Sequence, residues 1–359
     1  MCIAERVFVV KDILQLVSKQ DDEACRNLRR GVIICPGGIG DCLLTLPLAG
    51  FLKQSCALGG VDFIGHTEYI GFYPGRTCID SIKSIESIEF HRLFAAQEQF
   101  TVEDNDRLIA SFARYECIVS FLGAGDANFE PNLIFTVNCS HPADITLLPL
   151  AAEAEFSGHI SRFYIDRFAR ENSIAAEESA FGPDKALLTP HAGDVENGAK
   201  LLAAAGVNPD ETLVVIHPGS GGRAKCRHPE NYRQIADRLR LAGRQVVFLL
   251  GPAELERFDA DTLGKFRSTA PCLARLDLAG VLQVMTHSNC YIGNDSGISH
   301  LAGAMGLRTL AMFGPTNSAL YRPLGPDVSV MAGEADGFQR HSPATVDEVF
   351  ERTCRILEN

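Results

Sequence analysis

The strongest constraint on this chain is a repeated order: a short apolar run, a glycine-bearing turn, then residues at helical spacing. "GVIIC" (Gly31 to Cys35) runs into "PGGIGD" and then "CLLTLPLAGFLKQ". Further along, "TLVVI" precedes "HPGSGG", "RQVVFLLG" precedes "PAELE", "NCYIG" precedes "NDSGISHLAGAMG", and "RTLAMFG" precedes "PT". "GVDFIGH" and "YECIVSFLG" read as additional strands, and "NYRQIADRLRLAG" as a helix ended by Gly243. Strands alternating with helices predict parallel sheets with ligands beyond the carboxyl ends of the strands. The order occurs in both halves. The expected fold is therefore α/β, with two Rossmann-like domains whose parallel sheets face a cleft.

At 359 residues the chain exceeds one ordinary core, which stops growing at roughly 250–300 residues. The expected division is an N-terminal extension at 1–30, a first domain at 31–180 and a second at 181–359. A polar link, "NSIAAEESAFGPDKALLTP", lies at 172–190, and the extension has a short helical pattern near "VFVVKDILQLVSK". No apolar run approaches the ~20 residues of a membrane span, and Met1 to Lys19 lacks the pattern of a signal peptide. The expected location is the cytoplasm, with at most peripheral contact at the inner face of the inner membrane.

The net charge of −12 excludes general nucleic-acid binding, which needs a basic face. Residues 1–180 hold 15 Lys+Arg against 25 Asp+Glu, and residues 181–359 hold 18 against 20. An anionic ligand is therefore expected on the second half. The 12 cysteines form no C-x-x-C pair and no zinc-spaced cluster. Cys35, Cys117 and Cys290, in or beside apolar runs, read as small hydrophobes.

Two segments carry chemistry. In "HPGSGGRAK" the glycines let backbone N–H groups approach a ligand, Ser220 adds a hydroxyl and Lys225 a point charge. This is a phosphate cradle without P-loop spacing. In "GNDSGISHLAGAMG", Ser296 and the N–H groups after it form a helix start suited to phosphate, and His300 lies one turn on. Asp295 reads most simply as the helix N-cap; its functional role would be to orient Lys225 or accept sugar hydroxyls. Ala302, Gly303 and Ala304 call for close packing or close ligand approach. Glu254, after "LLGPAELE", offers a carboxylate for vicinal hydroxyls such as a ribose. Phosphate donors beside hydroxyl acceptors describe a nucleotide-sugar site. In the first half, Asp41 falls where strand gives way to helix, as N-cap or as general base for an acceptor hydroxyl.

At these residues the chain resembles glycosyltransferase family 9, the ADP-heptose:lipopolysaccharide heptosyltransferases. "GGIGDCLLTLP", "HPGSGGRAK", "GPAE" and "GNDSGISHLAGAMG" with "FGPT" occur in the family's order, from about Gly31 to near the C-terminus. The resemblance implies a GT-B fold with acceptor on the first domain and donor on the second. It also implies inverting, metal-independent transfer of heptose from ADP-heptose to a lipopolysaccharide-core-like or other saccharide acceptor, with no cofactor. Asp41 would be the catalytic base and Lys225 the catalytic cation. His217, Gly219, Ser220, Gly221, Lys225, Glu254, Asn294, Asp295, Ser296, Gly297 and His300 would bind the donor. The chain departs from the family after Lys225, where "CRHPENY" replaces the usual Trp-Pro with one extra residue, and Cys35-Pro36 stands where a basic residue is common.

Other readings fit less well. "DND" (Asp104 to Asp106) and "DAD" (Asp259 to Asp261) have the metal-binding D-x-D form but lie in polar, helical surroundings. A nicotinamide oxidoreductase would need G-x-G-x-x-G in the first turn, and an acyl hydrolase a G-x-S-x-G elbow; neither occurs. The alternative that survives is a catalytically degenerate nucleotide-sugar-binding protein of the same fold.

Overall fold

The computed structural model describes residues 29–176, 182, 185–333 and 337–358. The helical pattern expected near the N-terminus and part of the polar link lie outside those residues.

Two parallel sheets form the framework. The first has the order β3-β2-β1-β4-β5, built from β1 (Arg30–Ile34), β2 (Gly60–Gly65), β3 (Ser81–Ser84), β4 (Cys117–Ser120) and β5 (Asp144–Leu147). The second has the order β11-β10-β9-β6-β7-β8. Its strands are β6 (Leu213–His217), β7 (Gln245–Leu250), β8 (Cys272–Ala274), β9 (Cys290–Asn294), β10 (Thr309–Phe313) and β11 (Val328–Ala332). All of its pairings are parallel as well. Val32, Ile33, Ile34, Val214, Val215 and Ile216 are fully buried. Covering by helices on both faces is why these strands read as continuous apolar runs.

Four strands have no such run, namely β3, β5, β8 and β11, and they are the four sheet edges. An edge strand is covered on fewer sides, so it can be short and mixed in polarity.

The helices complete each half. Helix Ile160–Glu171 packs on Leu46–Ser55 in the first domain, and Ala192–Ala204 on Leu278–Met285 in the second. The C-terminal helix Pro343–Glu358 lies on Pro229–Leu241, also in the second. The largest core cluster runs through both domains, joining Leu48 and Phe168 to Leu202, Leu282 and Leu301.

Polar contacts hold the joint. The Arg76 guanidinium grips Asp194 through two bonds of 2.7 and 2.8 Å, and the Thr189 N–H donates to the Arg76 carbonyl. His159 Nε2 lies 2.9 Å from the Arg322 carbonyl. At the cleft, helices Ile39–Leu44 and Gly297–Ala304 press together. A Cβ on Gly40 would lie 2.9 Å from the His300 ring, and one on Gly297 would lie 2.5 Å from Ile39 Cβ. Glycine at both positions lets the two helix starts meet. Ala302 and Ala304 are buried, and a Cβ on Gly303 would lie 2.6 Å from the Leu324 carbonyl, so this small-residue run serves packing. Among the described residues no helix is long and apolar enough to cross a membrane.

Candidate active site

The segments that follow β1, β6, β9 and β10 converge on a cleft of about 590 Å³ between the halves. Its second-domain wall includes Ser220, Gly221, Lys225, Asp295, Gly297 and His300; Asp41 lies on the first-domain wall.

Asp295 is held by the strand beneath it, its N–H donating to the Met312 carbonyl. Its carboxylate is buried and sits 2.8 Å from Lys225 Nζ. Asp295 is not the helix N-cap expected from sequence. Ser296 is, its Oγ accepting the Ser299 N–H, and this leaves Asp295 one residue outside the helix and free to face Lys225.

His300 Nε2 lies 4.0 Å from Asp295 Oδ1. Burial pushes the His300 imidazole down to about 4, against the pull of Asp295, so it is neutral near pH 7. Its Nδ1 has no partner among the described residues.

Asp41 is likewise not an N-cap. Gly38 caps helix Ile39–Leu44, and Asp41 stands at the third helical position, where Oδ2 accepts the Gly38 N–H at 2.9 Å. That bond fixes the carboxylate at the rim of the cleft.

The glycine loop after β6 is tied down from two sides. Ser220 Oγ donates to the Asp295 carbonyl at 2.6 Å, and Arg257 donates to the Ser220 and Gly221 carbonyls at 2.7 Å each. Asn294, expected among the donor-binding residues, lies beneath the site. It is fully buried, its amide donates to the Pro218 carbonyl, and its Oδ1 accepts the Arg227 N–H and the Tyr232 hydroxyl. With both ends engaged it joins the two loops and does not face the cleft.

Next to the cleft is an apolar slot of about 200 Å³, lined by Leu249, Leu273, Leu278 and Val281 with His217 and Glu254 at its mouth. Glu254 is 3 % exposed; its Oε2 accepts the Gly251 N–H at 2.7 Å and lies 3.4 Å from His217 Nε2. Burial pushes the Glu254 carboxyl up, but His217 and the Gly251 N–H outweigh it and hold the carboxyl below its ordinary value. Gly219 leaves room for it, since a Cβ there would overlap Glu254 Oε1.

Sequence reasoning missed the apolar slot and the cleft tyrosines, Tyr69 and Tyr321. Burial and the nearby Asp41 raise the Tyr321 hydroxyl above its ordinary value. The apolar run "LAGVLQVM" was the available signal for the slot. The D-x-D candidates lie at helix starts. Asp106 caps helix Arg107–Phe112 and pairs with Arg92, and Asp259 caps helix Ala260–Thr269. Among the described residues no group of three or more His, Cys, Asp or Glu side chains is placed to hold a metal.

Two parallel-sheet domains meeting at such a cleft define the GT-B class. Two solved structures share the whole arrangement. A glycosyltransferase family 9 protein of Veillonella parvula has a TM-score of 0.65 at 15 % identity, covering 92 % of this chain and 97 % of that one. The Escherichia coli ADP-heptose lipopolysaccharide heptosyltransferase II has a TM-score of 0.64 at 16 % identity, covering 92 % and 98 %. In sequence, residues 168–345 match glycosyltransferase family 9 (heptosyltransferase), and over that stretch the chain belongs to the family. Lipopolysaccharide heptosyltransferase 1 of Pseudomonas aeruginosa is 39 % identical over 107 residues, 29 % of each chain. The matches span about a third of the length of the curated relatives.

Proposed function

We propose that this protein is an inverting, metal-independent glycosyltransferase that moves heptose from ADP-heptose to a lipopolysaccharide-core-like or other saccharide acceptor, without a cofactor. The observation that carries the reading is the Lys225–Asp295 pair at the start of helix Gly297–Ala304, sharing one cleft with Asp41. The apolar slot suits a nucleobase, and Glu254 at its mouth suits the ribose hydroxyls. The diphosphate then falls at the helix start, where unpaired N–H groups and the helix dipole favour an anion.

In the reaction, the acceptor oxygen attacks the anomeric carbon from the side opposite the diphosphate, while Asp41 takes the hydroxyl proton. The bond between that carbon and the diphosphate oxygen breaks, and its electron pair leaves with the diphosphate. Lys225 and the helix N–H groups stabilise the charge that develops there. A single displacement of this kind inverts the anomeric centre. The acceptor reaches the cleft from the first-domain side, with contact to a membrane no more than peripheral.

Calorimetric titration of ADP, UDP and GDP, then ADP-heptose, into the wild type and Lys225→Ala tests the donor site. Selective ADP binding that weakens at least tenfold in the variant is expected. If no nucleotide binds, the phosphate-cradle argument fails. If the donor binds but no nucleoside diphosphate is released with acceptor present, the protein binds nucleotide-sugars without transferring them.

A further inference from the structure

The glycine loop also borders a further cavity of about 330 Å³, which touches Glu254 as the apolar slot does. Arg223, Arg227, Arg257 and His228 line it, and Arg227 and His228 belong to the segment "CRHPENY" that departs from the family pattern. Two helix starts meet there. His228 caps Pro229–Leu241 through the Glu230 N–H, and Asp259 caps Ala260–Thr269 through the Thr262 N–H.

Arg227 is the unusual group. It is only 6 % exposed, and its guanidinium lies over the Phe338 ring at 4.2 Å and reaches Thr345 Oγ1. Its Nε has no partner among the described residues. A buried guanidinium without a carboxylate is costly unless something else compensates it. None of Arg223, Arg227 and Arg257 forms an ion pair among the described residues. The two carboxylates at the cavity are already engaged: Glu254 with the Gly251 N–H and His217, and Asp259 with the Thr262 N–H.

We propose that this cavity is a second anion site, which takes the phosphate group of a small phosphorylated molecule. Guanidinium forks match phosphate oxygens, and two helix starts add to the same field. The volume leaves room for a phosphate ester as well as for free phosphate. The site lies back to back with the cleft across the loop that carries Lys225, and Arg257 serves both, since its guanidinium also holds the Ser220 and Gly221 carbonyls. The assignment does not depend on the donor being a nucleotide-sugar.

The test is a ³¹P NMR titration of inorganic phosphate and of glucose 6-phosphate, with unphosphorylated glucose as control, on the full chain. Lys225→Ala removes the cleft's cation and should leave saturable phosphate binding in place. Arg223→Glu on that background, at an exposed position, should weaken it by about tenfold or more. Arg227→Lys, which keeps the charge but loses the fork, should weaken it by a smaller factor. Tighter binding of glucose 6-phosphate than of phosphate assigns a phosphoester ligand, and equal binding assigns the free ion. The proposal is overturned if Lys225→Ala alone abolishes phosphate binding, if Arg223→Glu leaves it unchanged, or if glucose binds as well as its phosphate.

Discussion

Asp41 has two jobs in this structure, and substitutions can separate them. Its carboxylate accepts the Gly38 N–H, and under the proposed mechanism it also takes the acceptor proton. Asp41→Asn keeps an acceptor oxygen for the cap and loses only the charge at the helix start, about 0.3–1 kcal/mol. Asp41→Ala loses the hydrogen bond from the Gly38 N–H as well, about 0.5–1.5 kcal/mol. At roughly 2–4 °C per kcal/mol for domains of this size, the two variants should differ in melting temperature by a few degrees. Neither retains a base, so both should lose the same factor in turnover, about 10²–10⁴. Release of ADP from ADP-heptose in the presence of a heptose-free lipopolysaccharide core reads the chemistry. Calorimetry reads donor affinity, which should stay nearly constant because Lys225, Asp295 and Glu254 are untouched. Asp41→Asn retaining more than about a tenth of wild-type turnover would refute Asp41 as the base. Turnover that tracked melting temperature across the two variants would reduce its role to the cap.

Two further perturbations probe the joint between the domains. Asp194 is buried and its carboxylate holds both arms of the Arg76 fork, so Asp194→Ala should cost about 3 kcal/mol and loosen one domain from the other. Scanning calorimetry should show the melting transition lowered and broadened or split, and a loss below about 1 kcal/mol would mean the fork does not hold the joint. His159, which bonds the Arg322 carbonyl across the same joint, is driven by burial down to about 4 from an ordinary value near 6.5. Between those values the unfolded chain binds the extra proton, so this residue's contribution is complete above about pH 6.5 and is lost as pH falls towards 4. Denaturant titrations of His159→Gln should show a flatter dependence on pH over that window than the wild type; parallel curves would exclude His159 as a source of acid sensitivity.

Legibility along the chain followed burial. The seven strands read from sequence are the central ones, covered on both faces, where continuous Val, Ile and Leu runs are the only workable composition. Edge strands such as Ser81–Ser84 left no comparable trace, because their neighbours cover too little of them. At the site, residue types singled out Lys225, Asp295 and Asp41, and these three share a cleft. Their local roles were less legible. Asp295 and Asp41 both looked like caps, yet Ser296 and Gly38 hold those positions. Asn294 looked like a ligand group and is a buried joint. One residue of register at a helix start decides such cases, and sequence spacing does not resolve it.

The sequence by itself determined the alternation of strand and helix and the two halves, because these follow from local periodicity and from the glycine turns. Only the tertiary structure decided that the Lys225 ammonium meets the Asp295 carboxylate, that Gly40 and Gly297 bring two helix starts into contact, and that leucines from separate segments enclose a slot beside Glu254. Those relations depend on how two sheets are docked, and docking is set by packing between residues far apart in the chain, which no local pattern records.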